Sequence, residues 1–334
     1  MRLPYRNLVF SGGGALGIAY LGVLDYFYKM NLMPNIKRVG GTSVGAITAC
    51  ITSFNSSFDE LMAIMDTLDY SKILEKDSDS PDSRGLSDTI KQSLSKVFDN
   101  VDCVYRLIKE YGWYSSNYFY EWLKTHIAEE FDATKKGPPY TFSDFMNPTV
   151  HKNGKPFKEL YIVGTDVSST TSSIFSYKTT PLMEVAEAVR ISMSIPLLFQ
   201  SISSTTGNTS PYNTPKIFAD GGLLYNYPIS LFDDISPLYE TLGIYFDSNA
   251  PAIPINNLVD FITNTLSCSS KIQAQAFKNT PKNVKRSIPI LTGDVSALNF
   301  DIAKDTDTYN FLYQQGYHAA ELYFARRVYR RRLF

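Results

Sequence analysis

Short apolar segments alternate with helical periodicity over the first fifty or so residues. Residues 8–10 form a continuous apolar run that ends in glycines, and apolar side chains recur on one helix face across residues 17–30. A second run, residues 36–39, reaches another glycine pair, and residues 44–54 resume a helical pattern. This order predicts a βαβα unit with parallel strands, and therefore an α/β fold.

A polar stretch and two helical patterns interrupt the predicted core. Residues 70–84 are polar and include the run DSDSPDS at residues 77–83, which predicts an exposed loop. Apolar residues then recur at helical spacing between Leu86 and Val97, and again across residues 119–127. We expect a mostly helical insertion, at about residues 70–135, before the sheet resumes.

The rest of the chain predicts further strands, one helix with Pro at its start and a final helical part. The strands are expected at residues 160–163, 217–219 and 242–246, the helix at 181–193 and a second polar loop at 203–215. We therefore expect a single domain over residues 1–334. Its core covers about residues 5–250, and a helical C-terminal extension covers about residues 251–334.

Composition and charge exclude several classes of protein. The 334 residues are 44% hydrophobic and 19% charged, which fits one large folded domain. Lys plus Arg number 32 against 33 for Asp plus Glu, so the net charge is -1 and no overall field attracts nucleic acid. We expect no nucleic-acid partner.

The cysteines and the apolar runs favour a cytoplasmic protein without a disulfide framework or a zinc site. Cys50, Cys103 and Cys268 form no Cys-x-x-Cys pair and have no His at ligand spacing, so each is interpreted as a small buried residue. No stretch approaches the roughly 18 apolar residues of a spanning helix, and no clean signal peptide is present. We expect a soluble intracellular chain that needs no metal.

The first glycine loop, residues 12–17 (GGGALG), has the form of a dinucleotide-binding fingerprint between a strand and a helix. In that fold the second strand ends in an acid that binds a ribose hydroxyl, yet residues 34–58 contain no Asp or Glu. No Lys-Ser or Lys-Thr follows Gly17, as a phosphate loop requires. Nucleotide binding is therefore only an alternative hypothesis.

The second glycine loop, residues 41–45 (GTSVG), matches G-x-S-x-G between a strand and a helix. In that context Ser43 is a candidate nucleophile on a sharp turn, at a helix start where partial positive charge favours an anion. The amides of Gly12, Gly13 and Gly14 could then stabilise an oxyanion formed on Ser43. The alternative is an ordinary Gly-Ser turn.

A nucleophilic serine needs a base, and the candidates considered are the three histidines of the chain and two of its aspartates. His126 lies in the helical insertion and His151 in a polar loop, while His318 follows a helix stripe and is expected to be packed there. Asp220 ends an apolar run before two glycines, which makes it the best acidic candidate. Asp166 competes, although its surroundings suggest a turn.

Three motifs in one order, at residues 12–17, 41–45 and 220–222, resemble the patatin-like phospholipases. The likeness extends from about Asn7 to Asp247. Further stretches that look similar are residues 112–114, 141–142, 164–167, 190–196 and 226–228.

The resemblance implies a three-layer α/β/α fold with a mostly parallel central sheet and a Ser–Asp dyad that requires no metal. It implies that Ser43 is the nucleophile and Asp220 the base. It also implies that Gly12, Gly13 and Gly14 frame the oxyanion hole. Leu16 departs from the many members that carry Arg or Lys there, which puts an additional anion contact in doubt.

These expectations lead to a lipid acyl hydrolase of the phospholipase A or lysophospholipase type. The alternatives are an acyl hydrolase acting on neutral glycerides or thioesters, and a non-catalytic protein that binds nucleotide or lipid. The Arg-rich segment at residues 326–332 could contact anionic membranes peripherally. It could equally be a solvated helix end whose cations suit the helix dipole.

Overall fold

The computed structural model describes residues 3–74, 106–204, 215–247, 255 and 258–332. Its strands are β1 (Asn7–Phe10), β2 (Arg38–Thr42), β3 (Gly112–Tyr114), β4 (Glu159–Asp166), β5 (Thr171–Ser176), β6 (Leu197–Phe199), β7 (Ile202–Ser204), β8 (Lys216–Asp220), β9 (Thr241–Asp247) and β10 (Ser287–Leu291). Its α-helices are α1 (Ile18–Lys29), α2 (Val44–Ser53), α3 (Phe58–Met65), α4 (Asn117–Glu129), α5 (Phe142–Phe145), α6 (Val185–Ser192), α7 (Gly222–Tyr225), α8 (Leu258–Lys278), α9 (Pro281–Lys285) and α10 (Asp307–Arg332).

A central, mostly parallel sheet flanked by helices confirms the predicted α/β class. Its strand order is β10-β9-β1-β2-β4-β8-β7, and β5 pairs with β4 outside this path. The first five strands in this order are parallel, whereas β5 and β8 run antiparallel to β4. Because Phe10 pairs with Gly41, the glycine loop after β1 and the turn after β2 leave the sheet at the same edge.

The pairing of β4 explains how distant parts of the chain meet. On one side of β4, β2 pairs as far as Thr42 opposite Val163, and β5 pairs along the other side. β8 therefore pairs with the last residues of β4, beyond the end of β2, and Asp220 lies opposite Gly164. A Cβ at Gly221 would lie 2.3 Å from the Val163 carbonyl oxygen and 3.0 Å from Thr42, so only glycine fits between the two strand ends.

The first half of the sheet follows the predicted pattern closely. β1, α1 and α2 occur within one residue of their predicted positions, β2 begins two residues and ends three residues later than predicted, and α4 covers the predicted helical pattern at residues 119–127. Most of α1 is buried, because α10 packs along it. The helical pattern between Leu86 and Val97 and most of the two predicted polar loops lie outside the described residues.

Two predictions about the second half were wrong in detail. The part after residue 250 is not entirely helical, because β10 adds a strand at the edge of the sheet. Pro289 concealed this strand in the sequence, yet an edge strand tolerates a residue without an amide hydrogen. The helix expected at residues 181–193 begins only at Val185.

The cysteines differ in their exposure to solvent. Cys50 is buried in α2, as predicted, and its burial raises the pKa of the thiol. Cys268 is exposed on α8, contrary to the prediction, and Cys103 lies outside the described residues.

Within the described ranges, no helix combines the length and the apolar character that crossing a membrane demands.

Candidate active site

Ser43 sits on a strained turn between β2 and α2. Its backbone has φ 55° and ψ −126°, a conformation that side-chain-bearing residues rarely adopt. The flanking glycines permit the turn, because a Cβ at Gly41 would lie 2.2 Å from the Gly45 carbonyl oxygen. The chain therefore has the strand, turn and helix that G-x-S-x-G requires.

Ser192, the last residue of α6, anchors this turn to the sheet. The Ser43 amide donates to the Ser192 hydroxyl oxygen at 2.9 Å, and that hydroxyl donates to the Val163 carbonyl at 2.6 Å. Ser192 is completely buried. The strained backbone is thus fixed by a side chain that sequence reasoning placed within a similar stretch but gave no role.

Asp220, the last residue of β8, lies beside Ser43. Its carboxylate accepts a hydrogen bond from the Gly222 amide at 2.6 Å and another from the Ser43 side chain. No Lys or Arg of the described residues forms an ion pair with it. Burial raises the pKa of Asp220 to about 7, although the hydrogen bonds from Ser43 and Gly222 work in the opposite direction.

The backbone of Asp220 is held from both sides. Its amide donates to the Ser194 carbonyl at 2.8 Å, and its carbonyl accepts from the Thr165 hydroxyl at 2.9 Å. Because Ser192 and Ser194 belong to one short segment, the end of α6 fixes both the serine turn and the carboxylate. A carboxyl group with a pKa near neutrality, held against a serine, can accept its proton.

The three glycines of the first loop differ in their hydrogen bonding. The Gly12 amide donates to the Asn226 carbonyl at 2.9 Å, whereas the Gly13 and Gly14 amides have no acceptor among the described residues. The loop lies against the nucleophile, since a Cβ at Gly12 would be 3.3 Å from the Ser43 Cβ. The amides of Gly13 and Gly14 are therefore free in a loop whose Gly12 lies against Ser43 and holds the loop in place.

A residue from the C-terminal part completes this loop. The Ala15 amide donates to the Ala297 carbonyl at 2.8 Å. Gly14 has φ 53°, and a Cβ there would lie 2.1 Å from the same carbonyl oxygen. The contact with Ala297 could not be predicted from the sequence, because it is made by a backbone carbonyl that every residue type has.

The three histidines make contacts away from Ser43. His126 bonds Thr67 and Glu129, and His151 is buried with its ring nitrogens on two backbone carbonyl oxygens. His318 pairs with Glu321, and its side chain is 59% exposed. The expectation of a packed His318 was therefore wrong.

The competing acid, Asp166, has a cationic partner. The Lys216 ammonium lies 2.8 Å from its carboxylate, and the Ser169 amide and hydroxyl also donate to it. Burial would raise the pKa of Asp166, but the hydrogen bonds from Lys216 and Ser169 outweigh burial and lower it.

Across the described ranges, no group of three or more His, Cys, Asp or Glu side chains could hold a metal ion.

The fold is of the α/β class, with a central, mostly parallel sheet that brings Ser43 and Asp220 together. The family profile described as Patatin-like phospholipase matches residues 8–233, which is more than half of the chain. The chain belongs to this family of lipid hydrolases, which confirms the family resemblance seen in the sequence motifs. The matched range contains Ser43 and Asp220 but ends before α8.

Similar proteins come from viruses and bacteria. Uncharacterized protein R571 of Acanthamoeba polyphaga mimivirus is 28% identical over 324 residues, covering 92% of this chain and 90% of that protein. Probable lipid hydrolase 463L of Invertebrate iridescent virus 6 is 25% identical over 228 residues, covering 68% of this chain and 63% of its own length. The crystal structure of VipD from Legionella pneumophila shares the fold with a TM-score of 0.59 at 20% identity; the match covers 96% of this chain and 66% of VipD.

Proposed function

We propose that the protein is a lipid acyl hydrolase of the phospholipase A or lysophospholipase type, which cleaves fatty acyl esters through a Ser43–Asp220 dyad. The single observation that carries the proposal is the contact between Ser43, on its strained turn, and a buried carboxyl group whose pKa is raised to about 7 by its burial. A base with that pKa is partly ionised at neutral pH. A useful fraction of the carboxyl groups can therefore accept a proton, and each is a stronger base than an ordinary carboxylate.

In the proposed first half-reaction, the ionised Asp220 takes the proton from the Ser43 hydroxyl as its oxygen attacks the ester carbonyl. The negative charge that forms on the carbonyl oxygen is stabilised by the free amides of Gly13 and Gly14 and by the start of α2. The ester bond then breaks. Asp220 returns its proton to the departing alcohol, which leaves an acyl-enzyme on Ser43.

In the second half-reaction, water attacks the acyl-enzyme. Asp220 takes a proton from this water and passes it to the Ser43 oxygen as the fatty acid leaves. The site returns to its starting state without a metal ion or a third side chain. Removing one oxyanion donor from a hydrolase costs about 10²- to 10³-fold in rate, so we expect the glycine loop to make a large contribution to the rate.

Labelling with a fluorophosphonate tests the nucleophile. We expect the wild-type protein to be labelled, Ser43→Ala to remain unlabelled and Ser172→Ala to behave as wild type, because Ser172 is exposed on β5. Labelling that persists in Ser43→Ala would remove the assignment. Absence of labelling in the folded wild type would favour a binding protein instead.

Mass spectrometry of the products tests the substrate class. Separate vesicles or micelles of phosphatidylcholine, lysophosphatidylcholine, triacylglycerol and an acyl thioester would be incubated with wild type and with Ser43→Ala. We expect Ser43-dependent release of fatty acid from the phospholipids. Release from triacylglycerol or the thioester alone would replace the phospholipase assignment with one of these alternatives.

The proposal includes peripheral contact with anionic membranes. The support is that α10 continues to Arg332 and that Arg326 is exposed, while the side chains beyond it lie outside the described residues. We expect vesicles rich in phosphatidylserine to retain the wild type and to lose a variant truncated before residue 326. Equal retention of both would refute the contact. A cytoplasmic location stays a prediction.

A further inference from the structure

Gln273, on α8, clamps the segment that follows the proposed base. Its Nε2 donates to the carbonyls of Gly222 and Leu223 at 3.1 and 3.2 Å, and its Oε1 accepts from the Asn226 amide at 2.7 Å. Ser269, one turn earlier, donates to the Leu223 carbonyl at 2.7 Å. A single side chain therefore binds both ends of α7.

The chemistry of these contacts requires an amide side chain. The backbone offers carbonyl acceptors on one side of Gln273 and an N–H donor on the other, so one group must donate while the other accepts. A carboxylate would face the two carbonyls with no hydrogen to donate. A hydrocarbon side chain of similar length would leave all three backbone groups without this partner.

The clamped segment touches both halves of the proposed machinery. The Gly222 amide donates to the Asp220 carboxylate, while the carbonyl of the same residue accepts from Gln273. The Asn226 amide is held by Gln273, and the Asn226 carbonyl accepts the Gly12 amide. The Asn226 side chain fills the space where a Cβ on Gly12 would stand, at 2.3 Å.

We infer that Gln273 is a positioning residue that holds the Asp220 segment and the first glycine loop in register with each other. This inference rests on the proposed function and extends it to α8, which lies beyond the residues matched by the family profile. The hydrogen bonds of the Gln273 side chain go to Gly222, Leu223, Asn226 and Ser269 rather than to Ser43 or Asp220. Gln273 acts through Gly222 and Asn226, each of which contacts one side of the site.

The matched control lies two residues away on the same helix. Gln275 has the same side chain but is exposed, so Gln275→Met makes the same chemical change outside the clamp. For Gln273→Met we expect kcat to fall about 10- to 100-fold with KM within about twofold, because a small misplacement of reacting groups is costly. For Gln275→Met we expect wild-type kinetics.

A pH profile separates positioning from simple loss of structure. When the Gly222 amide is no longer held, it stabilises the ionised Asp220 less well, so the acid limb of kcat/KM should move to higher pH in Gln273→Met. Gln273→Glu keeps the bond from Asn226 and loses the donors to the carbonyls, so it should show the same shift. Unfolding would lower the active fraction without moving the limb.

The experiment compares wild type, Gln273→Met, Gln273→Glu, Gln275→Met and Ser43→Ala in ester hydrolysis from pH 5 to 9, with activity expressed per mole of folded protein. A fall in kcat with a shifted limb in the Gln273 variants alone supports the inference. Wild-type values of both quantities in the Gln273 variants overturn it. Turnover that survives Ser43→Ala instead overturns the proposed function, so the two failures are distinguishable.

Discussion

Two buried aspartates on neighbouring strands have opposite surroundings. Asp166 ends β4 and is 1% exposed; Asp220 ends β8, which pairs antiparallel to β4, and is 5% exposed. Asp166 faces the Lys216 ammonium and two donors from Ser169, which together lower its pKa against the effect of burial. Within the described part of the chain, Asp220 has two neutral donors, Ser43 and Gly222, and burial raises its pKa to about 7.

The difference shows that burial alone does not give a carboxylate a chemical role. Asp166 stays ionised at neutral pH because a cation compensates its lost hydration, so it stabilises the connection between two strands. Asp220 lacks that compensation and can gain or lose a proton near pH 7 beside a serine hydroxyl. Among the described residues no cation pairs with Asp220, which fits the proton transfer that we propose for it.

The largest expected effect comes from removing the proton acceptor. Asp220→Asn keeps the shape of the side chain but cannot take a proton, so kcat for a p-nitrophenyl acyl ester should fall about 10⁴-fold or more. Asp166→Asn, the matched change at the other aspartate, should leave the kcat of the folded protein within about tenfold of wild type. Comparable losses in both variants would erase the functional distinction between them.

The pH dependence of activity should follow Asp220 alone. Since the base must be ionised and its pKa is raised to about 7 by burial, kcat/KM should fall about tenfold per pH unit below 7 and level off above it. Asp166, with its lowered pKa, should add no second step between pH 5 and 8. A profile that is flat over this range would contradict the role of Asp220.

The raised pKa should also be visible in stability. Unfolded Asp220 has a pKa of about 3.9, so between pH 4 and 7 the folded state binds more protons and wild type loses stability as pH rises. Asp220→Asn cannot ionise. Its free energy of unfolding relative to wild type, from urea denaturation, should increase by about 1–3 kcal/mol between pH 5 and pH 8. A constant difference would mean that Asp220 is not destabilised when charged.

The smallest effect is expected at the other aspartate. Lys216→Met leaves the Asp166 carboxylate buried without its cation. Because Lys216 is 25% exposed and solvent weakens the ion pair, we expect the free energy of unfolding to fall by only about 1–2 kcal/mol at pH 7. The loss should shrink as pH falls and Asp166 becomes protonated. Adding Asp166→Asn to Lys216→Met should recover part of it in urea denaturation. A double variant less stable than Lys216→Met would show that the ion pair is not the cause.

Much of the candidate site was predictable because tight turns and close backbone contacts require particular residue types, above all glycine. The turn at Ser43 needs glycine on either side, and the close approach at Gly221 needs a residue without a Cβ, so both positions stand out in the sequence. The positioning residues did not stand out. Ser192 and Gln273 are common polar residues within helical patterns, and only their contacts across the fold assign them a role.

The amino-acid sequence by itself determined the α/β class, the family and the two glycine loops, because short-range periodicity and the steric needs of tight turns depend on near neighbours. The tertiary structure alone decided that β8 pairs beyond the end of β2, and this pairing brings Asp220 to Ser43. It also decided that Lys216 pairs with Asp166, while no cation in the described ranges pairs with Asp220. Hydration lost on burial and the position of Lys216 depend on the whole fold, and no local pattern encodes them.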